Sequence, residues 1–244
     1  MHLFDQFNIS NLLKNYPNTC MLITIRDPVQ LCESWALIAI NGKEHTSNYS
    51  KYASAIQRLI MTLLDIDNLE FSTHDSVGVR LEDIKKEPKE TMRRLCAWLG
   101  IADSPTLYKS TMQGLKWWGN PGDALYGKTQ TIDYGKNEPI KRNKGSLFSE
   151  KDQFILETLF YPFNARFGYV EKNQSKFIND LQTIRPLLEK PMDFEKILSN
   201  NFSQEYPPLE KTAAYKAFHA MMLGRWHVLK DYDTYPNMFR ALPL

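Results

Sequence analysis

Two stretches of this 244-residue chain have residue types suited to holding a phosphate. The first is "GDALYGKT", residues 122 to 129, which matches the phosphate-loop pattern G-x-x-x-x-G-K-[ST] and offers Lys128 and Thr129. That pattern works where a buried strand feeds into it and a helix leaves it, so that free N–H groups and the helix dipole face the anion. Here "STMQGLKWWGNP" precedes it and "QTIDYGKNEPIKR" follows, interrupted by Gly135 and Pro139 and without an apolar stripe. Leu125 and Tyr126 would also crowd a backbone that must wrap an anion. The local context therefore speaks against a nucleotide loop. The second stretch is "IRDPVQLCES", in which Arg26 ends an apolar run and Ser34 follows in Arg-x7-Ser spacing. A planar guanidinium with a hydroxyl about two helical turns on suits a phosphate monoester. The same stretch is equally satisfied if Arg26 pairs with Asp27 or another sheet-end carboxylate while Ser34 packs inside its helix.

The elements around these residues decide what they can reach. "CMLITI" is a continuous apolar, β-branched run and predicts a fully buried parallel strand. Asp27 is an N-cap candidate and Pro28 a first-turn residue for a helix over 29–40. That order sets Arg26 at the carboxyl end of a strand, where open α/β sheets bind ligands. A short helix is expected over 4–14 and a longer one over 51–66, with Ile56, Leu59, Ile60, Leu63 and Leu64 on one face. "SVGVRLED" predicts the next strand. A helix follows from Pro88, with Met92, Leu95, Cys96 and Leu99 as its stripe and Gly100 as its stop. Residues 113–147 lose all periodicity and embed Trp117 and Trp118. Ser149 and Asp152 then form a capping box for a helix to about 166, kinked at Pro162. Two further amphipathic patterns cover about 176–189 and 211–229. Alternating strands and helices predict an α/β fold, a parallel sheet with flanking helices over residues 1–170, plus a helical C-terminal extension over 171–244.

Composition narrows the classes. The formal charge of +2 does not suggest nucleic acid as a partner, and no apolar run is long enough for a membrane span. Cys20, Cys32 and Cys96 have neither metal nor redox spacing and sit in apolar stretches, which predicts buried reduced thiols and a cytoplasmic setting. No His, Cys and Asp constellation has metal-ligand spacing, so no metal is expected.

Three segments together, "MLITIRDPVQLCESWA", "VRLEDIKKEPKETMRRLCAWLGI" and "RNKGSLFSEKDQFILETLFYPFNARFGY", resemble the sulfotransferase family in order and spacing. The resemblance covers about residues 1–170. It implies 3′-phosphoadenosine 5′-phosphosulfate as co-substrate and a small-molecule or glycan acceptor with a hydroxyl or amine. It makes Arg26 and Ser34 ligands of the 3′-phosphate. It adds Lys144 and Gly145 from the "KG" that resembles the family's second 3′-phosphate segment, with Asn143 where that segment usually has Arg. His2 falls near the position of the family's general base. Leu81 stands where some members place an aromatic against the adenine.

The implied fold is the P-loop-NTPase-like sulfotransferase fold lacking its first strand and phosphate loop, since no Gly-rich loop precedes Arg26. The expectation is therefore an N-terminally truncated sulfotransferase. The alternative is a non-catalytic nucleotide-binding or interaction protein derived from the family, whose sheet is completed by a partner or a second copy.

Overall fold

The computed structural model describes residues 6–42, 47–66, 75–108, 111–112, 115–116, 145–200, 202, 206–231 and 240–243. His2, Trp117, Trp118, the 122–129 stretch and Lys144 lie outside the described residues. Contacts divide the chain into two compact units, one built on a sheet and one on helices.

The sheet unit centres on β2 (Ser76–Arg80), flanked by β1 (Met21–Ile25) and β5 (Arg240–Ala241) in the order β1-β2-β5. All pairing is parallel: Met21 lies opposite Ser76, Ile25 opposite Arg80, and Arg240 opposite Val77. This is the expected α/β class, with a small parallel sheet. Two helices follow β2 directly, α4 (Leu81–Lys86) and α5 (Pro88–Leu99). Val77, Val79, Leu95 and Leu242 form the unit's core, with Ile84, Met92 and Trp98 packed against it. Gly100 stops α5 as its sequence position suggests. Its φ of 67° lies in the left-handed region, and its N–H and that of Ile101 close onto the last-turn carbonyls of Ala97 and Cys96. Arg94 reaches from α5 to donate to the carbonyls of Leu242 and Pro243, both at 2.6 Å, which pins the chain just past β5. A short antiparallel pair, β3 (Thr111–Met112) and β4 (Leu115–Lys116), completes the described part of this unit.

Three expectations need correction here. β1 is not fully buried: Met21 and Ile25 are, but Leu22 is 43% exposed. Among the described residues β1 has a strand on one side only, whereas β2 is hydrogen-bonded on both and buried from Ser76 to Val79. Leu99 does not join the core stripe of α5; Trp98 takes that place and Leu99 is exposed. Cys20, just ahead of β1 in the chain, is exposed, while Cys32 and Cys96 are buried.

The helical unit contains α1 (Gln6–Asn15), α2 (Pro28–Asn41), α3 (Asn48–Ile66), α6 (Glu150–Leu159), α7 (Tyr161–Arg166), α8 (Gln174–Ile184), α9 (Asp193–Ser199) and α10 (Ala213–Lys230). The expected kink appears as a break at Phe160, two residues before Pro162, separating α6 from α7. The freed end of α6 is satisfied from α10, where Arg225 donates to the Leu159 carbonyl at 2.6 Å. Helix α9 is an addition to the elements expected from sequence.

Two buried polar knots hold these helices together. Asp152, fully buried, closes the capping box with Ser149 and also accepts the N–H groups of Asp193 and Phe194 at the start of α9. Burial pushes its carboxyl above the usual range, and the three backbone N–H bonds partly offset that rise. Glu195, also fully buried, accepts from the Tyr52 hydroxyl at 2.8 Å and from the Met192 N–H at 2.9 Å. His219 meets the same carboxylate through Nε2 at 2.8 Å, and its Nδ1 faces the Leu188 carbonyl at 2.8 Å. A carbonyl only accepts, so Nδ1 carries a proton. Burial first, and the Glu195 charge second, hold the Tyr52 phenol well above its ordinary range. These groups have structural partners on every side, so they read as core polar contacts rather than a reactive cluster.

Candidate functional site

Asp27 sits between the end of β1 and the start of α2. Its Oδ1 accepts from the N–H groups of Val29 and Gln30 at 3.0 and 3.1 Å, and Pro28 occupies the first turn. The carboxylate that could have neutralised Arg26 is thus committed to the helix start. Arg26 itself is half-buried and has no ion pair among the described residues. Ser34 is half-buried on α2. One helical turn earlier, Gln30 is buried, and its side-chain nitrogen has no hydrogen-bond partner among the described residues.

The residue that sequence reasoning passed over is Glu33, fully buried on α2. Its Oε1 accepts from the Leu147 N–H at 2.6 Å, the Phe148 N–H at 2.9 Å and the Ser146 hydroxyl at 3.4 Å. Its Oε2 accepts from the Gly145 N–H at 3.0 Å. Every contact is a donor, which is the demand an acceptor-only carboxylate meets. Gly145 adopts a φ of 87°, where an L side chain is strained, and this turns the segment so that successive donors converge. Gly145 is therefore present beside α2, but its N–H is engaged by Glu33. A lone Glu in an apolar helix, "QLCESWA", was the available signal, because a charge there needs a partner.

The "ED" element is structural in its visible contacts. Asp83 lies 3.6 Å from Arg80, and its carbonyl accepts from Thr91 Oγ1 at 3.1 Å, which ties α4 to α5. Leu81 opens α4 and is half-buried. Cys32, one residue before Glu33, is pushed up to about 12 by burial and is no nucleophile. Among the described residues no group of three or more His, Cys, Asp and Glu is arranged to hold a metal ion. Nor is any helix there long and apolar enough to cross a membrane.

Arg26, the Asp27 cap and Ser34 all fall within one segment that matches a family model. Residues 3–105 match the Sulfotransferase family. That segment takes in α1 through α5, with β1 and β2, and hence the Arg-x7-Ser and "ED" elements. The sulfotransferase match links the segment to sulfuryl transfer in general, and the α/β architecture agrees with it. Gly145 and the helices after it lie beyond the matched sulfotransferase residues. No curated protein and no solved structure matches the chain.

Proposed function

We propose that this protein is a sulfotransferase that takes its sulfuryl group from 3′-phosphoadenosine 5′-phosphosulfate and delivers it to a hydroxyl or amine of a small-molecule or glycan acceptor. Arg26 and Ser34 hold the 3′-phosphate of the donor, Arg26 through paired N–H bonds and Ser34 through its hydroxyl. Lys144 is the further cation of that site. In the transfer step the acceptor oxygen or nitrogen attacks sulfur, the bond from sulfur to the 5′-phosphate oxygen breaks, and 3′,5′-adenosine bisphosphate leaves. The acceptor's proton passes to a base, for which His2 is the candidate by family resemblance.

The observation that carries this reading is the state of Arg26 within the matched segment. It directly follows the last residue of a parallel strand, and its neighbouring carboxylate is occupied by the α2 cap. Among the described residues it has no ion pair. A half-buried guanidinium of this kind is suited to an anionic ligand at the carboxyl edge of a sheet. The test is calorimetric titration with 3′,5′-adenosine bisphosphate. Arg26→Ala is expected to weaken binding about tenfold or more, the equivalent of one charge-assisted hydrogen bond. An unchanged affinity overturns the assignment.

A further inference from the structure

Three helices meet at the Glu195 carboxylate: α9 carries Glu195 itself, α10 carries His219, and α3, within the family-matched segment, carries Tyr52. The His219 Nδ1 donates to the Leu188 carbonyl at 2.8 Å, so that ring nitrogen is protonated. The other, Nε2, lies 2.8 Å from Glu195 Oε2. At that separation a bare lone pair would stand acceptor against acceptor, so a proton lies between the two atoms. Glu195 also accepts from the Tyr52 hydroxyl and the Met192 N–H, and a set made only of donors suits the ionised, acceptor-only form. The Tyr215 ring stacks on His219 with centroids 3.9 Å apart, and the negative face of an aromatic ring favours a cation against it. Burial first, then the charges of Glu195 and Glu210, push the Tyr215 phenol up to about 12, so it stays neutral there. Tyr52 is held neutral by burial and by Glu195, with Tyr49 packed beside it. Among the described residues neither Glu195 nor His219 has a second ion pair.

We propose that Glu195 and His219 form a proton-dependent latch, an imidazolium on a carboxylate that closes α9 and α10 on α3 and opens when the imidazolium gives its proton to solvent. Loss of that proton leaves the Nε2 lone pair facing Oε2 in the interior, two acceptors without a donor between them. The direction in pH follows. In the unfolded chain a histidine sheds its proton above about 6.5, while the folded pair keeps it. Above that value the folded state binds more protons, so stability falls as pH rises, until the folded pair is deprotonated as well. Between the ordinary Glu value of about 4.3 and 6.5 both states hold the same proton, and the contribution is complete. The latch lies wholly within the helical unit and is independent of the nucleotide reading above.

His219→Gln separates this role from general support of the fold, because its amide nitrogen still donates to Glu195 but does not titrate. The measurement is urea unfolding of the native chain and the variant from about pH 5.5 to about pH 8.5, spanning the ordinary imidazole value. Dividing the native unfolding equilibrium constant by that of the variant at each pH cancels the other titrating groups, Asp152 included. The ratio is expected to rise about tenfold or more across the range, the effect of one proton held at least a full pH unit longer in the folded state. A ratio that stays flat, or that falls as pH rises, overturns the proposal. Should His219→Gln fail to fold, long-range proton–nitrogen NMR spectra of the histidine-labelled native protein decide the matter. One histidine, in contact with a tyrosine ring, is expected to keep both ring protons at about pH 7.5, where an ordinary imidazole is neutral. Finding all five histidines neutral at that pH overturns the latch.

Discussion

Asp152 offers the sharpest test of how the helical unit is held. It is fully buried and accepts three backbone N–H groups, from Asp193 at 2.8 Å, Phe194 at 2.9 Å and Ser149 at 3.3 Å. Replacing it with Ala orphans all three. Each buried donor left unpaired costs about 1–3 kcal/mol, and Ser149 is partly open to water, so the expected loss is about 3–5 kcal/mol. Asp152→Asn is milder: its oxygen can serve Phe194 and Ser149 while its amide nitrogen meets the Asp193 N–H. A loss of about 1–3 kcal/mol follows. Urea unfolding followed by circular dichroism, with an unchanged m-value, reads both. Losses below about 1 kcal/mol for Asp152→Ala would refute the view that this carboxylate joins α6 to α9.

The same residue fixes a sign in pH. Because burial raises its folded pKa, the protonated form is favoured in the folded state. The corresponding stability is complete below the ordinary Asp value of about 3.9 and is lost as pH rises through the higher folded value. That slope should be absent from Asp152→Asn.

Tyr52→Phe removes one donor to the buried Glu195 carboxylate, which keeps His219 and the Met192 N–H as partners. A loss of about 1–2 kcal/mol in urea unfolding is expected, and a neutral result would mean the hydroxyl bond contributes nothing net. Lys128→Ala should leave adenosine bisphosphate affinity unchanged in titration calorimetry, because the context of residues 122–129 is wrong for a phosphate loop. A loss of binding would restore that loop as the nucleotide site.

Local signals were legible wherever a cap or a stop depends on neighbouring residues. Asp27 with Pro28, Gly100, and the Ser149–Asp152 box all appear where the sequence suggests them. Each works through a hydrogen bond closed within a few residues, so its partner is visible in the string. What escaped was non-local. β5 is a two-residue strand with no periodicity of its own, created by register with β2 and by Arg94 beside it. α9 is short, and its start is held by Asp152 from a distant helix. Glu33 looked like one more residue of an apolar helix because its donors lie at 145–148. The exposure of Leu22 shows the opposite error: an apolar run fits a strand hydrogen-bonded on one side as well as a central one.

The central claim is that this protein recognises the 3′-phosphate of an adenosine nucleotide. Its most direct test is calorimetry on the native chain with adenosine 3′,5′-bisphosphate and adenosine 5′-monophosphate under identical salt. The account predicts that the bisphosphate binds at least about tenfold more tightly, the contribution of charge-assisted bonds to the extra phosphate. Equal affinity for the two nucleotides, or binding of neither, would contradict it.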